Sequence, residues 1–124
     1  MNGEVLYAKD AQRVVTFYRD VTGLNVARTA ADHVVLKSPA FQLVVLEASH
    51  PLAETIAIAD PPHRRENTSI KLVFFAESIA DARKTAGLLG GGLNAAEHEW
   101  KFEGSTVCDG YDLEGNSFQL RESE

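Results

Sequence analysis

Apolar and polar residues along this chain set out one pattern and then set it out again. Val5 to Ala8 form a short apolar strand, and Asp10 after it is a good N-cap for a helix. The apolar residues of that helix, Val14, Val15, Phe17, Tyr18 and Val21, keep helical spacing, and Gly23 stops it. Three strand-like runs follow, NVART (25–29), HVVLK (33–37) and FQLVVLE (41–47), separated by the turn-formers Asp32 and Ser38-Pro39. The order is strand, helix, strand, strand, strand.

Residues 48–68 hold three of the four prolines and no sustained period, which marks a linker with one helical turn over Ala53 to Ile58. The pattern then returns. SIKLVFF (69–75) is a strand, Ser78 with Asp81 three residues on starts a helix, and Ile79, Ala82, Ala86 and Leu89 form its buried stripe. The LLGGGL run ends that helix, since it lacks the strand-before, helix-after setting of a phosphate loop. Strands are predicted at 99–102, 105–109 and 116–121, with turns at Glu103-Gly104 and Asp112 to Gly115. At an offset of 68, Leu6 falls on Phe74, Asp10 on Ser78, Val14 on Ala82, Val21 on Leu89 and Gly23 on Gly91. The chain is therefore expected to be one α+β domain over 1–124, built from a βαβββ module (1–47), a linker (48–68) and a second βαβββ module (69–124).

Composition narrows what such a domain does. At 124 residues, 44% hydrophobic and 24% charged, the chain suffices for one modest core. A net charge of −6 with no concentrated run of Lys and Arg argues against nucleic acid as a partner and favours solubility or a cationic ligand. The start, MNGEVLYAKD, lacks a signal-peptide pattern, and no apolar run approaches the roughly 20 residues of a membrane span, so a cytoplasmic protein without membrane contact is expected. The single cysteine, Cys108, makes no internal disulfide and reads as a buried small hydrophobe.

The most specific stretches are KDAQRVVTFYRDVTGL in the first helix and the terminal hairpin DGYDLEGNSFQL. With the doubled module they resemble the vicinal oxygen chelate superfamily, which includes glyoxalase I, bleomycin-resistance proteins, fosfomycin-resistance enzymes and extradiol dioxygenases. The resemblance implies a curled mixed sheet around a cup, helices outside, closing on a ligand that is often a metal ion. It also implies a homodimer with sites near the interface. The family's metal-ligand places fall here on Gly3, Lys71 and Gln119, with Gln42 and Val44 as inward candidates on the first module's last strand. Gly3 has no side chain, Lys71 is a cation, and neutral amides alone make a poor divalent site. No metal and no cofactor are therefore expected.

Register decides what else faces the cup. In the favoured register Val5, Tyr7, Lys71, Val73, Phe75, Ser117, Gln119 and Arg121 line it, an apolar and partly aromatic wall with a few polar groups. A one-residue slip instead turns Glu4 and Glu47 inward beside Gln119, giving two carboxylates and an amide. Trp100, among charged residues in EHEWKFEG, reads as a ligand-stacking lip or a dimer contact. His33, His50, His63 and His98 fall at no family ligand position and read as solvated or capping groups, and His63-Arg64-Arg65-Glu66 as a solvated linker rather than an anion clamp.

The leading expectation is a small-molecule-binding protein of the bleomycin-resistance type, with Tyr7, Lys71, Phe75, Trp100, Gln119 and Arg121 at the ligand. The alternative is a metal-dependent lyase, isomerase or dioxygenase on Glu4, Glu47 and Gln119. Metal-free proton transfer at Lys71 or Asp109 is a third reading.

Overall fold

A computed structural model of the chain describes residues 1–48 and 62–124. The helical turn expected at Ala53 to Ile58, and His50, lie outside these residues.

Module one runs β1 (Asn2–Ala8), α1 (Ala11–Thr22), β2 (Asn25–Thr29), β3 (His33–Lys37) and β4 (Phe41–Glu47). Asp10 caps α1 by accepting from the Arg13 N–H, and Gly23 closes it in the left-handed conformation at φ 78°. The strands order as β1-β4-β3-β2, with β1 parallel to β4. Module two runs β5 (Leu72–Phe75), α2 (Ile79–Leu88), β6 (Gly92–Leu93), β7 (Trp100–Phe102), β8 (Ser105–Tyr111) and β9 (Ser117–Ser123). Ser78 caps α2 by accepting from the Asp81 N–H. Its strands order as β5-β9-β8-β6, with β7 also on β8. In module two the first of the three strands after the helix is thus split into β6 and β7 around a 3-10 turn, Ala96–His98. The glycine run read only as a helix stop supplies β6 as well. The repeat slips at the same point, because the left-handed stop of α2 is Gly90, at φ 91°, rather than Gly91. A Cβ on Gly91 would collide with the Phe17 ring and the Tyr111 carbonyl, so glycine there lets α1 approach module two.

Both sheets turn one side toward a common core. Leu36, Leu43 and Val45 of sheet one and Phe118 and Leu120 of sheet two are fully buried there with Val14, Phe17 and Tyr18 of α1. Tyr18 meets Phe118 at 5.8 Å and Phe74 at 5.5 Å between ring centres, and Phe41 meets Phe74 at 5.8 Å. The Tyr18–Phe118 and Phe41–Phe74 pairs are edge-to-face and the Tyr18–Phe74 pair is tilted; edge-to-face pairs add about 0.5–1.5 kcal/mol each beyond burial.

The terminal hairpin ties the modules together. Asp112, fully buried, accepts from the Tyr18 hydroxyl at 2.6 Å, from the Glu114 and Asn116 N–H groups at 2.8 and 3.0 Å, and from the Asn116 amide. Glu114, also buried, accepts from the N–H groups of Lys9 and Asp10 at 2.8 Å each, just ahead of α1. Glu122 on β9 does the same for α2, accepting from the Ile79 N–H at 2.7 Å. Each helix therefore starts against a carboxylate from one hairpin, a favourable place for negative charge.

Candidate functional site

Alternation along each strand leaves the second side of each sheet open. On β1, Leu6 and Ala8 turn to the core, while Val5 and Tyr7 are 48% and 59% exposed. Register pairs Gly3 with Gln42, Val5 with Val44 and Tyr7 with Leu46 on that outer side. Glu4 pairs with Leu43 and Glu47 with Ala8, so both carboxylates belong to the side that carries the core residues. This overturns the slipped register: Glu4 and Glu47 are not assembled with Gln119, which stands on the outer side of sheet two.

There Lys71, just ahead of β5, joins side chains of β8 and β9 in one connected network. Lys71 Nζ is 2.8 Å from Asp109 Oδ2. Asp109 Oδ1 accepts from Gln119 Nε2 at 3.0 Å. Gln119 Oε1 in turn accepts from Arg121 Nε and Nη2 at 3.1 and 2.9 Å. The Arg121 guanidinium lies over Phe102, 5.0 Å from the ring centre. Both ends of the Gln119 amide are thereby used, its donor by Asp109 and its acceptor by Arg121. Phe75, 61% exposed, pairs with Arg121 in register, and Trp100, 41% exposed, pairs with Val107, which itself pairs with Arg121. Lys71, Phe75, Trp100, Gln119 and Arg121 thus share one face.

Tyr7 is not brought to that face. It stands on sheet one, and the exposure of both Tyr7 and Phe75 means that the two outer faces do not close over each other within one chain. The reason is tertiary: the sheets share the core around α1, leaving their other sides open. An apolar cleft of about 350 Å³ lies beside β5, lined by Leu24, Pro39, Phe41, Val73, Phe74 and Phe75 and by no member of the network.

The other candidates resolve by geometry. Cys108 is fully buried and donates to the Asn94 carbonyl at 3.3 Å, with an Arg83 Nη2 at 3.7 Å from its sulfur. Burial raises its pKa against the opposing pull of Arg83, so it stays a thiol. That arginine, also joined to Glu99, is a basic neighbour the linear order hides. His33 sits between Asp32, at 2.8 Å, and Arg28, at 3.4 Å, on sheet one. Arg64 is not simply solvated: it donates to the Asn94 side chain at 2.6 Å and lies over Tyr111, 5.5 Å from the ring centre. Phe102 was missed by the sequence reading, although its two-residue spacing from Trp100 on one strand was the available signal. Among the described residues no three His, Cys, Asp or Glu side chains converge as metal ligands would, and no helix is long and apolar enough to cross a membrane.

Two βαβββ modules, each with a mixed sheet backed by a helix, define the vicinal oxygen chelate fold. Residues 4–121 match the model of the glyoxalase-like domain family, and the chain belongs to that family. No curated protein sequence matches it significantly. Among solved structures it is similar to a glyoxalase/bleomycin resistance protein from Albidiferax ferrireducens, at 15% identity and TM-score 0.69, covering 100% of this chain and 98% of that one. The fosfomycin resistance protein FosX from Listeria monocytogenes, in a structure with Mn(II) and sulfate, aligns at 13% identity and TM-score 0.67 over 100% and 89% of the two chains. A lactoylglutathione lyase from Agrobacterium tumefaciens aligns at 25% identity and TM-score 0.59 over 98% and 92%.

The manganese of that neighbour invites a test of fit. Here Gln119 is engaged on both sides, Lys71 and Arg121 bring positive charge to the same face, and Gly3 offers no donor atom. A hard dication needs oxygen or imidazole donors carrying compensating charge, and Asp109, already bonded to Lys71 and Gln119, is the sole carboxylate in the network. These residues do not fit a divalent metal.

Proposed function

We propose that the chain binds a small organic molecule on the outer face of sheet two, without a divalent metal, and works as a homodimer in which a second copy covers the open face. The observation that carries this reading is the Lys71–Asp109–Gln119–Arg121 network, which includes Lys71 and Gln119, two of the positions where the family resemblance implies metal ligands. It occupies the would-be ligand amide and sets cations beside it. Exposed Val73, Phe75, Trp100 and Phe102 add the apolar surface a small-molecule wall needs. Dimerisation is favoured by the edges of β1 and β5, each paired with one strand among the described residues, and by open apolar faces on both sheets. No catalytic step is assigned to these residues.

A thermal-shift and fluorescence screen with metabolites and antibiotics tests this. Confirmed hits are expected to change Trp100 emission and to weaken on Trp100→Ala. Hits that leave emission and the Trp100→Ala affinity untouched would place binding elsewhere and overturn the reading. Sedimentation showing a monomer at micromolar concentration would reject the dimer.

A further inference from the structure

The outer face of sheet two carries a cation, Arg121, that no carboxylate among the described residues neutralises. The ion pairs of the described residues join Arg19 to Asp20, His33 to Asp32, Lys71 to Asp109, Arg83 to Glu99 and Lys101 to Glu124, and none includes Arg121. Lys71, the other cation of this network, is cancelled by Asp109. Arg121 instead spends Nε and one Nη2 proton on the neutral oxygen of Gln119, leaving the Nη1 and Nη2 edge free to donate in parallel. That edge matches a planar carboxylate held by two hydrogen bonds. The guanidinium itself is fixed, gripped by Gln119 on one side and stacked on Phe102 below.

What surrounds this cation selects the rest of the ligand. Register aligns Phe75, Arg121, Val107 and Trp100 in one row straight across four strands, with apolar side chains on both sides of the arginine. At about 4.8 Å per strand the row is roughly 14 Å long; Val107 within it is buried, so the surface it offers a ring is that of exposed Phe75 at one end and Trp100 at the other. Within this network Arg121 is, among the described residues, the one cation without a carboxylate, and one such charge balances a monoanion; a doubly charged phosphate ester would need the lysine that Asp109 holds.

We infer that this row takes a planar aromatic monocarboxylate, its carboxylate on Arg121 and its ring against Phe75 or Trp100. The inference rests on the small-molecule reading above and names its ligand class. It also overrules the guide of net charge: a chain of net −6 points to a cationic ligand, while the local field at Arg121 points to an anion.

Four matched probes test it by calorimetric or NMR titration of the full-length protein: 1-naphthoate, 1-naphthamide, 1-naphthylmethylamine and 1-naphthyl phosphate. The acid is expected to bind at least about tenfold more tightly than the amide, as a charge-assisted contact implies, and the amine not at all. That preference is expected to vanish in Arg121→Met and to weaken in Arg121→Lys, which keeps charge but loses the fork, while both variants melt within a few degrees of wild type. Equal binding of acid and amide, tighter binding of the amine or the phosphate ester, or an undiminished preference in Arg121→Met would each overturn the inference. If none of the probes binds, the inference falls, whereas the wider library screen with its Trp100→Ala control decides the small-molecule reading independently.

Discussion

Module one follows its helix with three uninterrupted strands, whereas module two breaks the corresponding first strand into β6 and β7 and ends in a hairpin that reaches back to α1. The outer faces differ as well. Sheet one presents Val5, Tyr7, Val35, Val44 and Leu46, with His33 and Arg28 bonded to each other nearby, while sheet two presents the Lys71–Asp109–Gln119–Arg121 network. A duplicated plan has thus divided its tasks. Module two supplies both the polar chemistry of the candidate site and the carboxylates that hold the halves together; module one supplies apolar surface and the helix at the centre of the core.

The sharpest way to break this division is to remove the tie. Asp112→Ala strips a buried carboxylate from the Tyr18 hydroxyl, two backbone N–H groups and the Asn116 amide, and is expected to cost about 3 kcal/mol or more in denaturant unfolding. Glu114→Gln keeps one acceptor but turns an amide N–H toward the Lys9 or Asp10 N–H, for about 2 kcal/mol. An equivalent change on an exposed carboxylate such as Glu97 is expected to stay within about 0.5 kcal/mol.

Tyr18 sharpens the comparison through pH. Burial first, and then the adjacent Asp112 and Glu114 carboxylates, hold its hydroxyl well above the ordinary tyrosine value. A raised folded value means that the unfolded chain releases this proton first. The stabilisation is therefore complete below about pH 10, where free tyrosine titrates, and is lost as pH rises above it. Tyr18→Phe is expected to cost about 1 kcal/mol at neutral pH and to flatten the alkaline fall of melting temperature expected of wild type. Equal alkaline slopes for the two proteins would mean that Tyr18 does not carry the effect.

These predictions also mark where the sequence was legible. The runs NVART, HVVLK and FQLVVLE coincide with β2, β3 and β4, because each is bounded by turn-formers; β4 alternates between a core side and an open side, whereas β2 is exposed along its whole length. Asp10, Ser78 and Gly23 mark helix ends through local chemistry and do so here. The placing of Gln119 and Arg121 on one face followed from alternation alone. The division of β6 from β7 did not follow, since a run of glycines signals a stop and says nothing of the two-residue pairing beyond it. Nor did the exclusion of Tyr7 from the face of Lys71, because that depends on how two modules pack around α1, a contact between residues about a hundred positions apart. The DLEGN turn could be read as a turn, but not as the anchor of α1, for the same reason.

A smaller effect is expected at the site itself. Gln119→Glu replaces the donor to Asp109 with a second carboxylate and pairs with Arg121, so its stability change should stay below about 1 kcal/mol. It should also abolish the preference for naphthoate, and nickel, zinc, manganese or iron should leave its melting temperature unchanged, since one added carboxylate does not complete a metal site.

The central claim is that the polar network on sheet two stands in place of a metal centre and serves an organic ligand. Native mass spectrometry of the purified protein tests it in one spectrum. The account predicts a dimer whose mass carries no stoichiometric divalent ion, before or after incubation with manganese or zinc, and which gains the mass of 1-naphthoate when that acid is added. One tightly held divalent ion per subunit, lost on changing Gln119 or Asp109 to Ala, would contradict it and make the chain a metalloprotein.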